Sequence, residues 1–131
     1  LAPIHRKIYN MPPLEILSLT DKTVGFRFIE NQDRFTFEID REYAATKMHL
    51  ILKILDSGKT NFLDVATVDR EIISFAIDPD GSSVITFPWR TRTTSSNQTV
   101  SFQHSQPMNA SKLRELATKF LDCTQAAYAG S

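Results

Sequence analysis

The sequence is poor in cysteine and glycine, and it has no excess of charge of either sign. Its one cysteine, Cys123, cannot form a disulfide within the chain, which favours a reducing compartment, either the cytosol or the nucleus. Fifteen Lys and Arg residues balance fifteen Asp and Glu residues, whereas nucleic-acid-binding domains usually carry a basic excess. No apolar run approaches the roughly 20 residues that cross a bilayer. We therefore expect neither a nucleic acid nor a membrane among the partners.

Length and composition favour one folded domain. The 131 residues suit a single domain, and the apolar fraction of 41% is enough for one hydrophobic core. Residues 1–13 are basic and interrupted by proline, so we expect an extended lead-in followed by one domain over residues 14–128. The first residues lack both an initiator methionine and the apolar core of a signal peptide. On this basis we interpret the chain as a fragment of a longer protein.

The residue types that usually carry chemistry are scattered. His5, His49 and His104 lie far apart, and none has the spacing of a metal-ligand pair. Cys123 follows the apolar stripe of the last predicted helix, where a small buried side chain is more typical than a nucleophile. The segment Asp78–Ser82 lacks the glutamate that closes a calcium loop, and no glycine-rich phosphate loop is present. We therefore predict no catalytic, cofactor-binding or metal-binding residues and no enzymatic activity for this chain.

Three strands are predicted at the start of the domain. The segments Thr23–Glu30 and Arg34–Asp40 alternate apolar and polar residues, which is typical of half-buried strands. Leu14–Leu19 precedes them, and short polar turns separate the three segments. Together they predict an antiparallel meander with one buried face.

An amphipathic helix is predicted after the third strand. From Arg41 to Leu55 the apolar residues recur every three or four positions. Asp40 is placed to act as the N-cap, and Gly58 marks the end of the helix. Residues 61–68 fit either a short strand or a helical turn, and the sequence leaves both open.

A hairpin and a loop are predicted in the second half. Glu71–Ile77 and Ser83–Pro88 flank the sequence Asp78-Pro79-Asp80-Gly81, which is the strongest turn signal in the chain. Arg90–Gln98 is polar, rich in Thr and Ser and without a period, so it is predicted to be a mobile loop. Thr99–Gln103 is predicted to be one more strand.

A second amphipathic helix closes the chain. Either Asn109 or Ser111 serves as its N-cap, and its apolar residues form one stripe that we expect to lie on the sheet. The stripe consists of Leu113, Leu116, Ala117, Phe120 and Leu121. The predicted fold is therefore α+β: an antiparallel sheet of about six strands packed against a C-terminal amphipathic helix, with a second helix inserted in the middle of the chain.

Basic residues beside an aromatic residue are the strongest indication of a binding site. Arg90 and Arg92 flank Trp89, and an arginine pair beside an exposed aromatic residue is typical of protein-recognition surfaces. Lys53 and Lys59 lie on or after the middle helix and extend the basic character. We predict that these five residues bind protein. The simpler interpretation is a solvated helix face and a polar loop.

Segments spread over most of the chain share a strand, turn and helix pattern with a known family. They are Thr23–Phe28, Phe35–Ala44, Ile73–Trp89, the strand around Val100–Phe102, Pro107, and the final helix with Ala117 and Phe120. This pattern resembles a polo box, and in particular the first cryptic polo box of the centriole-duplication polo-like kinase of the SAK type. The stretch from Thr46 to Asp69 departs from that family, which leaves the topology in the middle of the chain open.

The resemblance implies a non-enzymatic targeting module beside a Ser/Thr kinase domain, at centrioles and centrosomes in the cytoplasm. Polo boxes of this type bind acidic segments of scaffold proteins, and they support homodimerisation together with a second box. A pleckstrin-homology-like domain also ends in a strand and a helix. So does the self-associating head domain shared by DNA-repair scaffolds and centriolar cartwheel proteins, which is the alternative function.

Overall fold

The computed structural model describes residues 9–11, 14–30 and 33–129, which form ten strands and two helices. In chain order these are β1 (Tyr9–Met11), β2 (Leu14–Leu19), β3 (Thr23–Glu30), β4 (Asp33–Asp40), α1 (Arg41–Ser57), β5 (Asn61–Ala66), β6 (Ile72–Ile77), β7 (Ser83–Thr86), β8 (Arg90–Thr93), β9 (Thr99–Phe102), β10 (Ser105–Met108) and α2 (Ala110–Ala129). His5, Arg6, Lys7 and the side chain of Cys123 lie outside the described part of the chain.

The strands form two four-stranded antiparallel sheets and a separate hairpin. The first sheet has the order β1-β2-β3-β4, the second has the order β10-β7-β6-β5, and β8 pairs with β9 alone. The α+β class and the two predicted helices are confirmed. The strands are divided between two sheets, however, and do not form the single sheet of about six strands that the sequence predicted.

The first sheet follows from the alternation of its apolar residues. Phe26 pairs with Phe37 and Phe28 pairs with Phe35 across β3 and β4, and all four side chains are buried. The residues between them point outward and are more exposed. Because side chains alternate along a strand, this register brings the large aromatic residues to one face of the sheet.

Capping residues set the bounds of α1 close to their predicted places. The carboxylate Oδ1 of Asp40 accepts a hydrogen bond from the backbone N–H of Tyr43 at 2.9 Å. Gly58 ends the helix with a left-handed φ of +66°, a conformation that glycine adopts without steric cost. The helix buries Ala44, Met48, Ile51 and Ile54.

Replacing Asp40 with Ala is expected to destabilise the domain by about 1 kcal/mol, because the backbone N–H of Tyr43 would lose its acceptor. Replacing Asp40 with Asn is the matched control, since its amide oxygen can accept the same hydrogen bond and asparagine caps helices as well as aspartate. Urea unfolding of the two variants and the parent chain would measure the difference. Equal losses for both variants would mean that the cap does not depend on this hydrogen bond.

The open choice at residues 61–68 is resolved in favour of a strand. β5 pairs with β6 over its full length, and its inward side chains, Leu63 and Val65, are buried. The hydroxyl of Tyr43 on α1 accepts a hydrogen bond from the backbone N–H of Ala66 at 3.0 Å, which fixes the helix against this strand.

The predicted loop at Arg90–Gln98 is wrong in its first half. Residues 90–93 form β8, which pairs with β9, and Asn97 has a left-handed φ of +62° in the connecting turn. The backbone N–H of Thr94 donates to the carbonyl of Gln98 at 2.8 Å, which closes the turn. Threonine is β-branched and favours strands, so its repetition in this segment indicated a hairpin despite the polar composition.

Two short strands at sheet edges escaped the sequence prediction. β1 lies within the predicted lead-in and pairs with β2. β10 contains Pro107, which cannot donate a backbone hydrogen bond, but β10 is an edge strand and needs donors on one side alone. Strands of three or four residues are too short for their alternation to stand out in a sequence.

The two sheets and both helices share one hydrophobic core. Phe87 follows β7 of the second sheet, and its ring lies against Phe28 and Phe35 of the first sheet, with centroid distances of 4.8 and 5.0 Å. The predicted stripe of α2 is buried, and α2 packs against α1 and β2. Asn109 caps α2 by accepting the backbone N–H of Lys112 at 2.7 Å, so Asn109, and not Ser111, is the N-cap.

Candidate protein-binding surface

Arg90 is held by two groups of the domain itself. Its guanidinium forms two hydrogen bonds to the carboxylate of Glu71, at 2.5 and 3.2 Å, and lies 5.3 Å from the centre of the Phe37 ring. The two charged side chains are 30% and 37% exposed, so the ion pair is half in solvent. The sequence did not predict this pair because the two residues are 19 positions apart.

Arg92 lies on the same face of the β8–β9 hairpin as two apolar side chains. In the register of this hairpin, Arg92 is opposite Val100, and Arg90 is opposite Phe102. The Arg92 guanidinium stacks over the Phe102 ring at 4.5 Å, an arrangement that pairs a cation with the electron-rich face of the ring. We call Arg90, Arg92, Val100 and Phe102 the hairpin face. Trp89 directly precedes the hairpin and is 64% exposed.

Lys53 and Lys59 are exposed, but the structure does not bring them to the hairpin face. Lys59 precedes β5 at the end where Asn61 pairs with Ile77, whereas Glu71, which holds Arg90, lies beyond the opposite end, where Ala66 pairs with Ile72. These two ends are about 17 Å apart along the strands, at about 3.4 Å per residue. Lys59 is therefore separated from Arg90, and Lys53 lies on α1.

Apolar residues on the outward side of the second sheet were missed by the sequence prediction. Phe62 is 74% exposed and Val84 is 42% exposed. They belong to one row that runs across all four strands through the paired positions Phe62, Ala76, Val84 and Pro107. Residues 61–68 were left between strand and helix, so the side of the sheet that Phe62 occupies could not be assigned. If β5 had been assigned as a strand, the alternation of its side chains would have placed Phe62 on the outward side.

Three concave spaces lie near these residues. The first, of about 390 Å³, is an open depression on the second sheet beside Val84 and Pro107. The second is a groove of about 300 Å³ between the outward side of the first sheet and the β5–β6 connection, and its lining includes Glu38, Asp69 and Glu71. These carboxylates make this groove unsuited to an acidic ligand. The third is an apolar cavity of about 40 Å³ in the core, lined by residues such as Phe28 and Phe87. It is far below the several hundred Å³, roughly, of small-molecule sites.

The titratable residues are dispersed over the described part of the chain. His49 is exposed on α1, whereas the ring of His104 stacks on Phe35 with a centroid distance of 5.2 Å. Among residues 9–11, 14–30 and 33–129 no three metal-ligating side chains come together. The hydroxyl and then the backbone N–H of Ser82 donate hydrogen bonds that hold the pKa of Asp80 below its usual value. Asp80 is therefore ionised at neutral pH.

Within the same described ranges, no helix is long and apolar enough to cross a membrane. Comparison of the chain with models of known protein families, with curated proteins and with solved structures finds no match. The polo-box resemblance and the binding role of the hairpin face therefore stay predictions.

Proposed function

We propose that this domain is a non-catalytic protein-interaction module that binds acidic segments of other proteins through the hairpin face. The observation that carries the proposal is the Arg92 guanidinium stacked on Phe102, on a hairpin that the exposed Trp89 directly precedes. Tryptophan and arginine are the residue types most enriched at binding hot spots. A cation held against a ring loses less side-chain entropy on binding than a freely moving one.

Arg90 belongs to the same surface, but Glu71 of the domain competes with the ligand for its guanidinium. Its two hydrogen bonds to Glu71 must be exchanged for bonds to the ligand carboxylate before it can bind. Half-exposed ion pairs contribute little net stability, because water competes for both partners. Glu71 is therefore expected to weaken the binding of an acidic segment without preventing it.

The polo-box resemblance supplies the cellular context of the proposal. Under it, the domain targets an attached Ser/Thr kinase to acidic scaffold proteins of the centriole and contributes to a homodimer together with a second box. The support is the resemblance of Thr23–Phe28 and Phe35–Ala44 to the family's strand, hairpin and strand; in this chain these segments form β3 and β4 and lead into α1.

A synthetic 14-residue peptide of leucine and glutamate is the proposed probe, titrated into the chain by calorimetry at low and physiological salt. Replacing Arg92 with Gln is expected to weaken binding by roughly ten-fold, because it removes a cation from the contact. Replacing Glu71 with Gln is expected to strengthen binding by a few fold, roughly, since Arg90 no longer has an internal carboxylate partner. All affinities should fall with added salt.

The matched control is the pair Lys53→Gln and Lys59→Gln, which removes one exposed cation from α1 and one from the segment before β5. These changes should leave the affinity nearly unchanged. A loss equal to that of Arg92→Gln would mean that net charge, and not the hairpin face, determines binding. The self-associating head domain predicts instead that the isolated chain forms a dimer without peptide, which sedimentation velocity would detect.

A further inference from the structure

The outward side of the second sheet carries a continuous apolar row. The register places Phe62 on β5, Ala76 on β6, Val84 on β7 and Pro107 on β10 side by side. We call these four residues the apolar row. The next outward row along the strands is small and polar, and its hydroxyls are paired, with Ser74 donating to Asp64 at 3.0 Å and Thr86 bonding to Ser105 at 3.2 Å.

The outward side of the first sheet carries polar side chains. Its exposed outward positions include Arg34, Thr36 and Glu38, and Arg27 there forms an ion pair with the buried Glu15 at an N–O distance of 2.7 Å. An antiparallel sheet with one face in water normally carries polar residues on that face. The apolar row departs from this rule, and exposed apolar patches of this kind mark interaction sites.

Acidic residues border the apolar row on both sides. Asp64 lies in the next row along β5, and Asp78 and Asp80 lie in the β6–β7 turn at the other border. All three are exposed, and Asp64 and Asp80 have hydroxyl partners. The Ser82 hydrogen bonds lower the pKa of Asp80, so this carboxylate stays charged to a lower pH than an ordinary aspartate. The nearest cation along the chain is Lys59, two residues before β5.

We propose that the apolar row is the docking surface for an amphipathic helix of a partner protein, whose apolar stripe is bordered by Lys and Arg. Three strand spacings of about 4.8 Å make the row about 14 Å long. That length matches about ten helical residues at 1.5 Å each. The apolar stripe would cover Phe62 and Val84, and the basic residues on either side would lie near Asp64 and near Asp78 and Asp80.

Charge argues against a second copy of the chain as the occupant. Two such surfaces would bring three carboxylates of one copy against three of the other, and like charges at an interface oppose association.

The proposed surface is separate from the hairpin face and takes a partner of opposite charge, so two peptides distinguish them. The first is a 14-residue helical peptide of leucine and lysine, and the second is the leucine and glutamate peptide of the same pattern. Amide chemical shifts of the full chain are followed by NMR during titration. The lysine peptide is expected to change the amide chemical shifts of residues in β5, β6, β7 and β10. Its affinity for this surface should be at least ten-fold higher than that of the glutamate peptide.

Substitutions at matched positions test the site. In a double variant, Phe62 and Val84 are both replaced with Thr, which retains strand preference. The affinity for the lysine peptide is expected to fall by roughly ten-fold or more, since the contact loses apolar area. Val100→Thr is the control, because Val100 is 41% exposed on the hairpin face and Val84 is 42% exposed on the apolar row. It should leave the affinity for the lysine peptide unchanged.

Failure of the lysine peptide to bind would overturn the proposal outright, and if the peptide binds, three outcomes would still overturn it. One is shifts that map away from the four strands, and another is an equal loss of affinity in the Val100→Thr control. The third is concentration-dependent self-association of the free chain that changes the amide chemical shifts of the apolar row, because this would assign the surface to a second copy. Failure of the lysine peptide leaves the hairpin face untouched, whereas failure of the glutamate peptide at the hairpin face overturns the proposed function alone.

Discussion

Replacing Phe87 with Ala is expected to destabilise the domain by about 3–5 kcal/mol, the usual cost of removing a buried aromatic ring. Phe87 is 1% exposed. Its ring lies 4.8, 5.0 and 5.8 Å from the rings of Phe28, Phe35 and Phe37. Each such aromatic contact contributes roughly 0.5–1.5 kcal/mol of stability beyond the contribution of the buried area. Since all three partners belong to the first sheet, the loss weakens the contact between the sheets.

Urea unfolding measures this effect, and Phe62→Ala is the matched control. Phe62 is 74% exposed, so the same truncation there should change stability by about 0.5 kcal/mol or less. A domain of this size has a total stability of about 5–15 kcal/mol, so Phe87→Ala would leave a substantial unfolded fraction in mild urea. A loss below about 1 kcal/mol would show that the aromatic cluster does not hold the sheets together.

The cluster around Phe87 also shows where sequence prediction ended. The strand ending at Pro88 was predicted, and the bounds of β2, β3 and α1 were close to those observed, because local periodicity and capping residues determine them. The division into two sheets was not predicted. It depends on which strand pairs with which across many residues, and each predicted strand was compatible with one large sheet as well as with two.

The candidate surfaces were predictable to a smaller extent. Trp89, Arg90 and Arg92 were recognisable because they are adjacent in the chain. The Glu71 partner of Arg90 and the separation from Lys59 depend on the fold, so no local pattern could indicate them. The apolar row requires the register of four strands, of which β5 was ambiguous and β10 was not predicted.

Replacing Gly81 with Ala is expected to destabilise the domain by about 2–4 kcal/mol, from strain and overpacking together. The φ of Gly81 is +87°, in the left-handed region where a Cβ atom costs about 1–2 kcal/mol. A Cβ atom there would also lie 2.5 Å from the Cβ of Ala110 at the start of α2 and 3.3 Å from a Leu55 methyl group. Carbon atoms prefer about 3.5–4.0 Å, so the turn or the helix must move.

Gly58→Ala separates the two contributions, because Gly58 has a φ of +66° and nothing within 4 Å of its added Cβ. It should cost about 1 kcal/mol from strain alone, and unfolding curves of the two variants give the steric part by difference. Equal losses would contradict the overpacking at Gly81. Adding Ala110→Gly to Gly81→Ala removes the atom at 2.5 Å. The double variant should therefore be more stable, by about 1 kcal/mol or more, than the sum of the two single losses predicts. Such a gain would show that the lost stability of Gly81→Ala arises at the contact between the β6–β7 turn and α2. A general weakening of the turn would produce no such gain.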